Sequence, residues 1–467
     1  MPVVGRLLNW KHARTVIQIP MLLIAGLIII DGFIGPSSAP ENFAGVIPWV
    51  HWRGFVVLAL LIFGNLFCMG CPFMLVRRPA KWWLPGRWNW PAWLPGKWLA
   101  IVLLVAFFWA YEAFDLWASP WLTAWVAVAY FAGAFLVDGF FKGAAFCKHV
   151  CPIGQFHFVN SMASPFEVKV RDTSTCESCR TKDCITGRRD SASGAIVQSG
   201  CELYLFQQRK HGNLDCTFCL DCIQACPYDN VGIIARNPLD EYRRDRNRSG
   251  IGRLSERPDF AMLALVLVFG SLLNAFGMVG PVFRFERWLA GVLGLQSEPA
   301  VLGVVFLVGL IVIPALLVSY TAWASRALTR ADRPLLPIIS RFSFGLVPIG
   351  FAMWLAHYGF HFFTGALTIV PVSQQFLMDI GIDLFGQPRR DLAELLPISV
   401  IDSIEMVVLQ LGLLMTLVAL YRISRDEFGR SRAVRGAIPW AILTLLIFAA
   451  SLWLMSQPME MRGTFLS

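Results

Sequence analysis

Nine runs of roughly 20 apolar residues, each about the length that crosses a ~30 Å hydrocarbon core, punctuate this chain. They lie at residues 15–35, 54–76, 98–118 and 121–141, and then at 260–279, 300–323, 342–368, 400–421 and 436–456. Between the fourth and fifth runs, residues 166–258 are polar, charged and rich in Cys. The pattern predicts four membrane helices in residues 1–165, an extramembrane domain over 166–258, and five more helices in 259–467.

Composition agrees. With 56% hydrophobic and 15% charged residues and a mean hydropathy of +0.58, the chain is too apolar for a soluble protein of 467 residues. The net charge of +9 raises nucleic acid as a partner, but its distribution removes that reading. With the N-terminus inside, the inner segments hold 34 of the 40 Lys and Arg residues. The outer ones hold Arg53, Arg284, Arg287, Arg389, Arg390 and Arg462. The positive-inside rule then fits all nine crossings and places the C-terminus outside, in a bacterial cytoplasmic (inner) membrane. Arg6, Lys11 and Arg14 before the first run, and Ser37 to Ala39 after it, resemble the flanks of a signal peptide. Pro40 would follow the cut, which disfavours cleavage, so the run is read as a retained helix. The repeat Trp83–Trp88 (WLPGRW) and Trp93–Trp98 (WLPGKW) is read as an inner-surface anchor.

All twelve Cys residues fall between 68 and 226, on the inner, reducing side, where thiolates are metal ligands before they are disulfides. Cys216, Cys219, Cys222 and Cys226, followed by Pro227, have the C-x2-C-x2-C-x3-C-P spacing of bacterial ferredoxins. A zinc ribbon wants two separated pairs, which disfavours zinc. Upstream stand Cys176, Cys179 and Cys184 at longer spacing, and a distant Cys201. The fourth Cys of each run serves the other cluster, so the expected [4Fe–4S] ligands are Cys176, Cys179, Cys184 with Cys226, and Cys216, Cys219, Cys222 with Cys201. Cys68 and Cys71, and Cys147 and Cys151, form two further pairs, each ending in Cys-Pro at an inner helix end. Together they would hold a third iron–sulfur centre or act as exchange thiols, with Lys148 and His149 favouring thiolate.

Two Cys-Pro motifs at inner helix ends, followed by a two-cluster ferredoxin-like domain, resemble the membrane polyferredoxins typified by NosR and NapH. The resemblance covers roughly residues 54–237. It implies electron transfer from the quinol pool to a partner reductase, or support of that reductase's metal centres. This chain lacks an extracytoplasmic flavin domain of the NosR kind, and its first pair is C-x2-C-P where the family usually has C-x3-C-P. The expected fold is a membrane all-α bundle of nine transmembrane helices with an inserted cytoplasmic ferredoxin-like domain.

Within the spans, His357 and His361 share one helix face, and Asp402 and Glu405, Glu112 and Asp115, and Asp31 fall at a similar depth in the outer part of the membrane. One reading is a quinone site with His357 or His361 on a quinone oxygen and Glu405 accepting a proton. The other is paired polar residues that fix helix contacts; a haem ranks third, since two His on one helix cannot both ligate one iron. Electrons from an outer site would have to cross much of a ~30 Å core to reach the inner cysteines. The leading expectation is a membrane electron-transfer protein, or quinol-linked oxidoreductase subunit, joining the quinone pool to a redox partner at the cytoplasmic face. An assembly or metal-reduction factor for a respiratory metalloenzyme is the alternative, and a purely anchoring subunit the third. No Gly-rich dinucleotide fingerprint is present, so direct oxidation of a nicotinamide cofactor is not expected.

Overall fold

The computed structural model describes residues 10, 12–84 and 86–458. Arg6, Lys11 and Arg462 of the charge count, and Pro85 of the Trp-rich repeat, lie outside the described residues. The protein is mostly helical, and its apolar helices are those of a multi-pass membrane protein. Among the described residues, eight helical stretches are long and apolar enough to cross a membrane. They include α1 (Ala13–Ile34), α2 (Phe43–Phe63), Pro120–Phe140, Glu298–Thr329 and Leu335–Asp379. Between α2 and Pro120–Phe140 the third apolar run forms α3 (Trp98–Ala113), only 16 residues long. It stops short of the expected residue 118, and Asp115 just beyond it is left-handed at φ 44°.

The second run is displaced from expectation. It was predicted over 54–76, but α2 begins at Phe43 and includes a π-helical turn, Ile47–Trp52. It ends at Phe63 because Gly64 turns the chain at φ 71°, a conformation that favours glycine. Two consequences follow: Arg53, counted as an outer-loop residue, lies inside a helix, and Cys68 sits on a separate short helix, Leu66–Met69.

The chain forms two compact units. The first comprises Met1–Gly26, Ala59–Ala100 and Ala129–Arg257 and contains every Cys. Here α4 (Pro152–Asn160) leads into β1 (Phe166–Val170), which pairs antiparallel with β2 (Val231–Ala235), Phe166 opposite Ala235 and Val170 opposite Val231. The two cysteine runs share a local geometry between these strands. In each, a residue in left-handed conformation, Lys182 or Leu220, precedes Asp-Cys and opens a short helix, α5 (Asp183–Thr186) or α6 (Asp221–Ala225). The longer spacing of the first run is thus two extra residues inserted ahead of Lys182. The left-handed step turns the chain so that thiols on either side can face inward.

The unit is held by buried ions as much as by apolar packing. Lys97 bonds Asp215 at 2.5 Å and the carbonyl of Lys148 at 2.8 Å, and both side chains are buried. Glu241 pairs with Arg236 and, at 3.3 Å, with Arg248, and accepts from the amides of Asn213 and Leu214. Gly212 passes over that carboxylate at φ 72°, where a β-carbon would collide with it.

The second unit comprises Leu27–Leu58, Ile101–Val128 and Pro258–Ser467. Its centre is α8 (Val347–Gly365), packed against α7 (Pro258–Phe276) and α9 (Ile398–Phe428), with α10 (Ala433–Met455) against α9. Ala275, Met353, Ala356 and Leu409 form one buried cluster, and Gly412 lets α9 approach Ala352 where a larger residue would not fit. The indole of Trp354 donates to the carbonyl of Leu267 at 2.8 Å.

Removing one member of a buried ion group strands its partners, at a cost on the order of 3–5 kcal/mol. Glu241→Gln should therefore make the first unit markedly more sensitive to protease and denaturant. Burial alone would raise the Glu241 pKa, but Arg236, Arg248 and two amides bring it below the usual carboxylate range. Its contribution should be complete above about pH 4.3, the unfolded value, and be lost only as pH falls towards the lower folded value. A loss of that contribution between pH 6 and 8 would contradict this.

Candidate metal centres and a buried polar site

The Cys-Pro dipeptides act as helix starts. Cys71 and Cys151 are N-caps, with Pro72 and Pro152 at the first helical position, where a missing N–H costs nothing. At Cys151 the sulfur takes the place of the usual capping oxygen, accepting from the Gly154 amide at 3.2 Å, whereas Cys71 makes no side-chain cap and its thiol is only eased by the nearby Phe73 and Met74 amides. The other two thiols receive side chains. His157 Nδ1 lies 3.2 Å from Cys68 Sγ, and Arg77 Nη2 is 3.5 Å from Cys147 Sγ. Cys68, Cys71, Cys147 and Cys151 thus form one group within mutual electrostatic reach.

Burial pushes the Cys71 thiol up to about 11 and the Cys151 thiol up to about 12, and raises Cys68 and Cys147 well above the ordinary value. His149 does not promote thiolate as expected. Its ring stacks on Trp90 at 4.5 Å, and burial lowers its pKa to about 4, so it is neutral near pH 7. Arg77 is the cation that does touch the set.

A second group joins Cys201, Cys216, Cys219 and Cys222, all four buried. Leu205 N–H donates to Cys201 Sγ at 3.4 Å. The third group lines a shallow surface recess whose walls include Cys176, Cys179, Cys184 and Cys226. Asn230 ties its two halves together, donating from Nδ2 to Cys176 at 3.3 Å and from the backbone to Cys226 at 3.4 Å. This group is partly exposed, and Tyr228 beside it projects into solvent. The structure therefore brings one Cys of each run to the other run's trio.

The three groups adjoin in a row. The Cys201 amide donates to the carbonyl of Cys184 at 2.9 Å, linking the second and third. Asn65 donates to the carbonyl of Cys216 at 2.9 Å, and Ala144 N–H to that of Glu202 at 3.1 Å, linking the first and second. Among the described residues, the one triad of His, Cys, Asp or Glu donors mutually within 4.8 Å is Glu202, Cys219 and Asp221. Its carboxylates are taken by Arg14, at 2.8 and 3.2 Å. Among the described residues no three thiols of any set lie mutually within 4.8 Å, so none of the sets closes on a single tetrahedral zinc ion, whose ~2.3 Å bonds would bring its thiols to about 3.8 Å.

In the second unit, His357 is fully buried and, among the described residues, neither of its ring nitrogens nor Nε2 of His361, 4.9 Å away between ring centroids, has a hydrogen-bond partner. Beside them is Arg53, whose guanidinium lies 4.4–4.9 Å from the rings of Trp49, Tyr111 and Tyr358 and donates to Tyr111 Oη at 3.1 Å. Glu405 is buried, but no hydrogen bond or ion pair among the described residues joins it to either histidine. Asp402 is exposed. Asp31 has a structural task, accepting from Phe43 N–H at 2.6 Å.

Arg77, Glu202, His157, Asn230 and Arg53 were not singled out from the sequence. Glu202 beside Cys201, and an Arg within an apolar stretch, were the available signals. Replacing Cys201 or Cys219 with Ala should alter one and the same metal signal, and replacing Cys226 or Cys176 the other; Asn230→Leu should perturb only the latter. Spectra of the anaerobically purified variants check this, and a shared signal for Cys201 and Cys226 would contradict it.

Compared with protein-family models, curated proteins and solved structures, the chain matches none.

Proposed function

We propose that this chain is a membrane iron–sulfur electron-transfer protein, of the polyferredoxin kind, that joins the quinone pool to a redox partner at the cytoplasmic face. The observation that carries the reading is the row of three four-thiol sets, one at helix ends, one buried and one at the surface. Cys176, Cys179, Cys184 and Cys226 would hold one [4Fe–4S] cluster, Cys201, Cys216, Cys219 and Cys222 a second, and Cys68, Cys71, Cys147 and Cys151 a third iron–sulfur centre. Clusters held there would supply one-electron transfer.

The protein's own groups do the rest. Amides, Asn230 and Arg77 donate to sulfur and so stabilise the anionic ligand sets. Burial of the middle set keeps water from it, and partial exposure of the Cys176 set leaves an outlet for a partner. The concentration of Lys and Arg in the segments read as inner supports a cytoplasmic position for this outlet. In the second unit, Arg53, His357 and His361 offer the donors and acceptors that a quinone oxygen requires inside an apolar wall. The metal-assembly reading needs exposed, ionised thiols, whereas Cys151 is buried, the other three Cys-Pro thiols are half-buried, and desolvation raises their pKa values.

Iron and sulfide counted on anaerobically purified protein test this. The expected result is more than the about eight iron atoms that two cubanes hold. Substituting Cys71 and Cys151 together with Ser should remove the excess and leave the other two centres intact. Unchanged iron, with all four residues readily alkylated in untreated protein, would instead favour thiol exchange.

A further inference from the structure

Between the Cys-Pro set and the buried Cys201 set lies a group of charges that neither set needs for ligation. Arg77 Nε pairs with Asp138 at 2.7 Å, its Nη1 with Glu202 at 2.8 Å, and its Nη2 reaches Cys147 Sγ at 3.5 Å. Glu202 follows Cys201 directly and shares its other oxygen with Arg14 at 2.8 Å. Arg14 in turn reaches Asp221, the residue before Cys222, at 3.2 Å. Arg77 and Asp138 are almost wholly buried, and Glu202 and Arg14 nearly so. In such surroundings a charge is felt far more strongly than in water, because little solvent screens it.

The placement is asymmetric. The guanidinium of Arg77 is in direct contact with a sulfur of the first set, with Asp138 behind it, whereas at the second set the carboxylates of Glu202 and Asp221 outnumber the one nearby cation, Arg14. Adding an electron to a thiolate-ligated centre adds negative charge, which a nearby cation stabilises and a nearby carboxylate opposes. We propose that Arg77 and Glu202 form a buried charge bridge that sets the relative potentials of the centres held at Cys147 and Cys201, Arg77 raising the first and Glu202 lowering the second. This rests on the reading that both sets hold metal centres. Arg77 and Glu202 are positioning residues in this account and do not ligate.

The test is a potentiometric titration of the full-length, anaerobically purified protein, followed by electron paramagnetic resonance. Arg77→Gln should disfavour reduction of the Cys147 centre about tenfold, equivalent to about 59 mV for one electron. Glu202→Gln should favour reduction of the Cys201 centre by a similar factor, and Arg77→Lys should restore most of the first effect. The Cys176 centre, which the bridge does not touch, should keep its potential in all three. A merely structural role would move both centres in the same direction, or broaden every signal alike. Opposite shifts with rescue by Lys support the bridge; potentials that move less than twofold, or in one direction, overturn it while leaving the centres themselves established. Iron at only about eight atoms per unsubstituted chain would overturn the third centre and the bridge together.

Discussion

A thiolate away from water is costly unless something offsets its charge, and all twelve cysteines of this chain lie wholly or partly out of solvent. The structure of the first unit follows from that constraint. Prolines at helix starts free neighbouring amides to point at Cys71 and Cys151, left-handed residues turn the two cysteine runs around their sulfurs, and Arg77 and His157 serve the thiols that the backbone does not reach. The ion groups around Glu241 and Asp215 then hold the loops in place.

The same constraint separates the two chemistries that four adjacent thiols allow. Exchange thiols need access and a lowered pKa, and partial burial limits the first and raises the second for the Cys-Pro set. Ligand thiols need only a metal to displace their protons, together with amide donors to share the charge that results. Donors reach Cys147 and Cys151 of that set, and the row formed with the other two groups has no evident use in thiol exchange.

Apolar length alone made the helical, multi-pass character legible, since unbroken runs can be counted without knowing their partners. Boundaries were less so. The second helix was placed about ten residues late because Phe43–Trp52 mixes Pro, His and Trp with aliphatic residues, and Gly64 ends the helix inside an apolar run. Cysteine spacing brought the exchange of Cys201 and Cys226 into view, because ligand spacing is local chemistry. What could not be read were the groups that meet from distant parts of the chain. Arg14, Arg77, Asp138 and Glu202 converge only once the helix ends are assembled, and Arg53 reaches His357 and His361 only through packing within the second unit. Glu405 shared depth with the histidines on paper, yet helical phase and neighbours leave it unbonded to them.

The central claim is that the three thiol sets hold metal centres that adjoin in sequence, with the Cys201 set in the middle. Magnetic interaction between paramagnetic centres tests this most directly, because it reports number and adjacency at once. In the fully reduced protein, the resonance of the Cys201 centre should be split or broadened by both neighbours. It should simplify by one step when the Cys176 set is disabled and by the other when the Cys-Pro set is. Three sharp, non-interacting signals, or only two centres in the intact chain, would contradict the account.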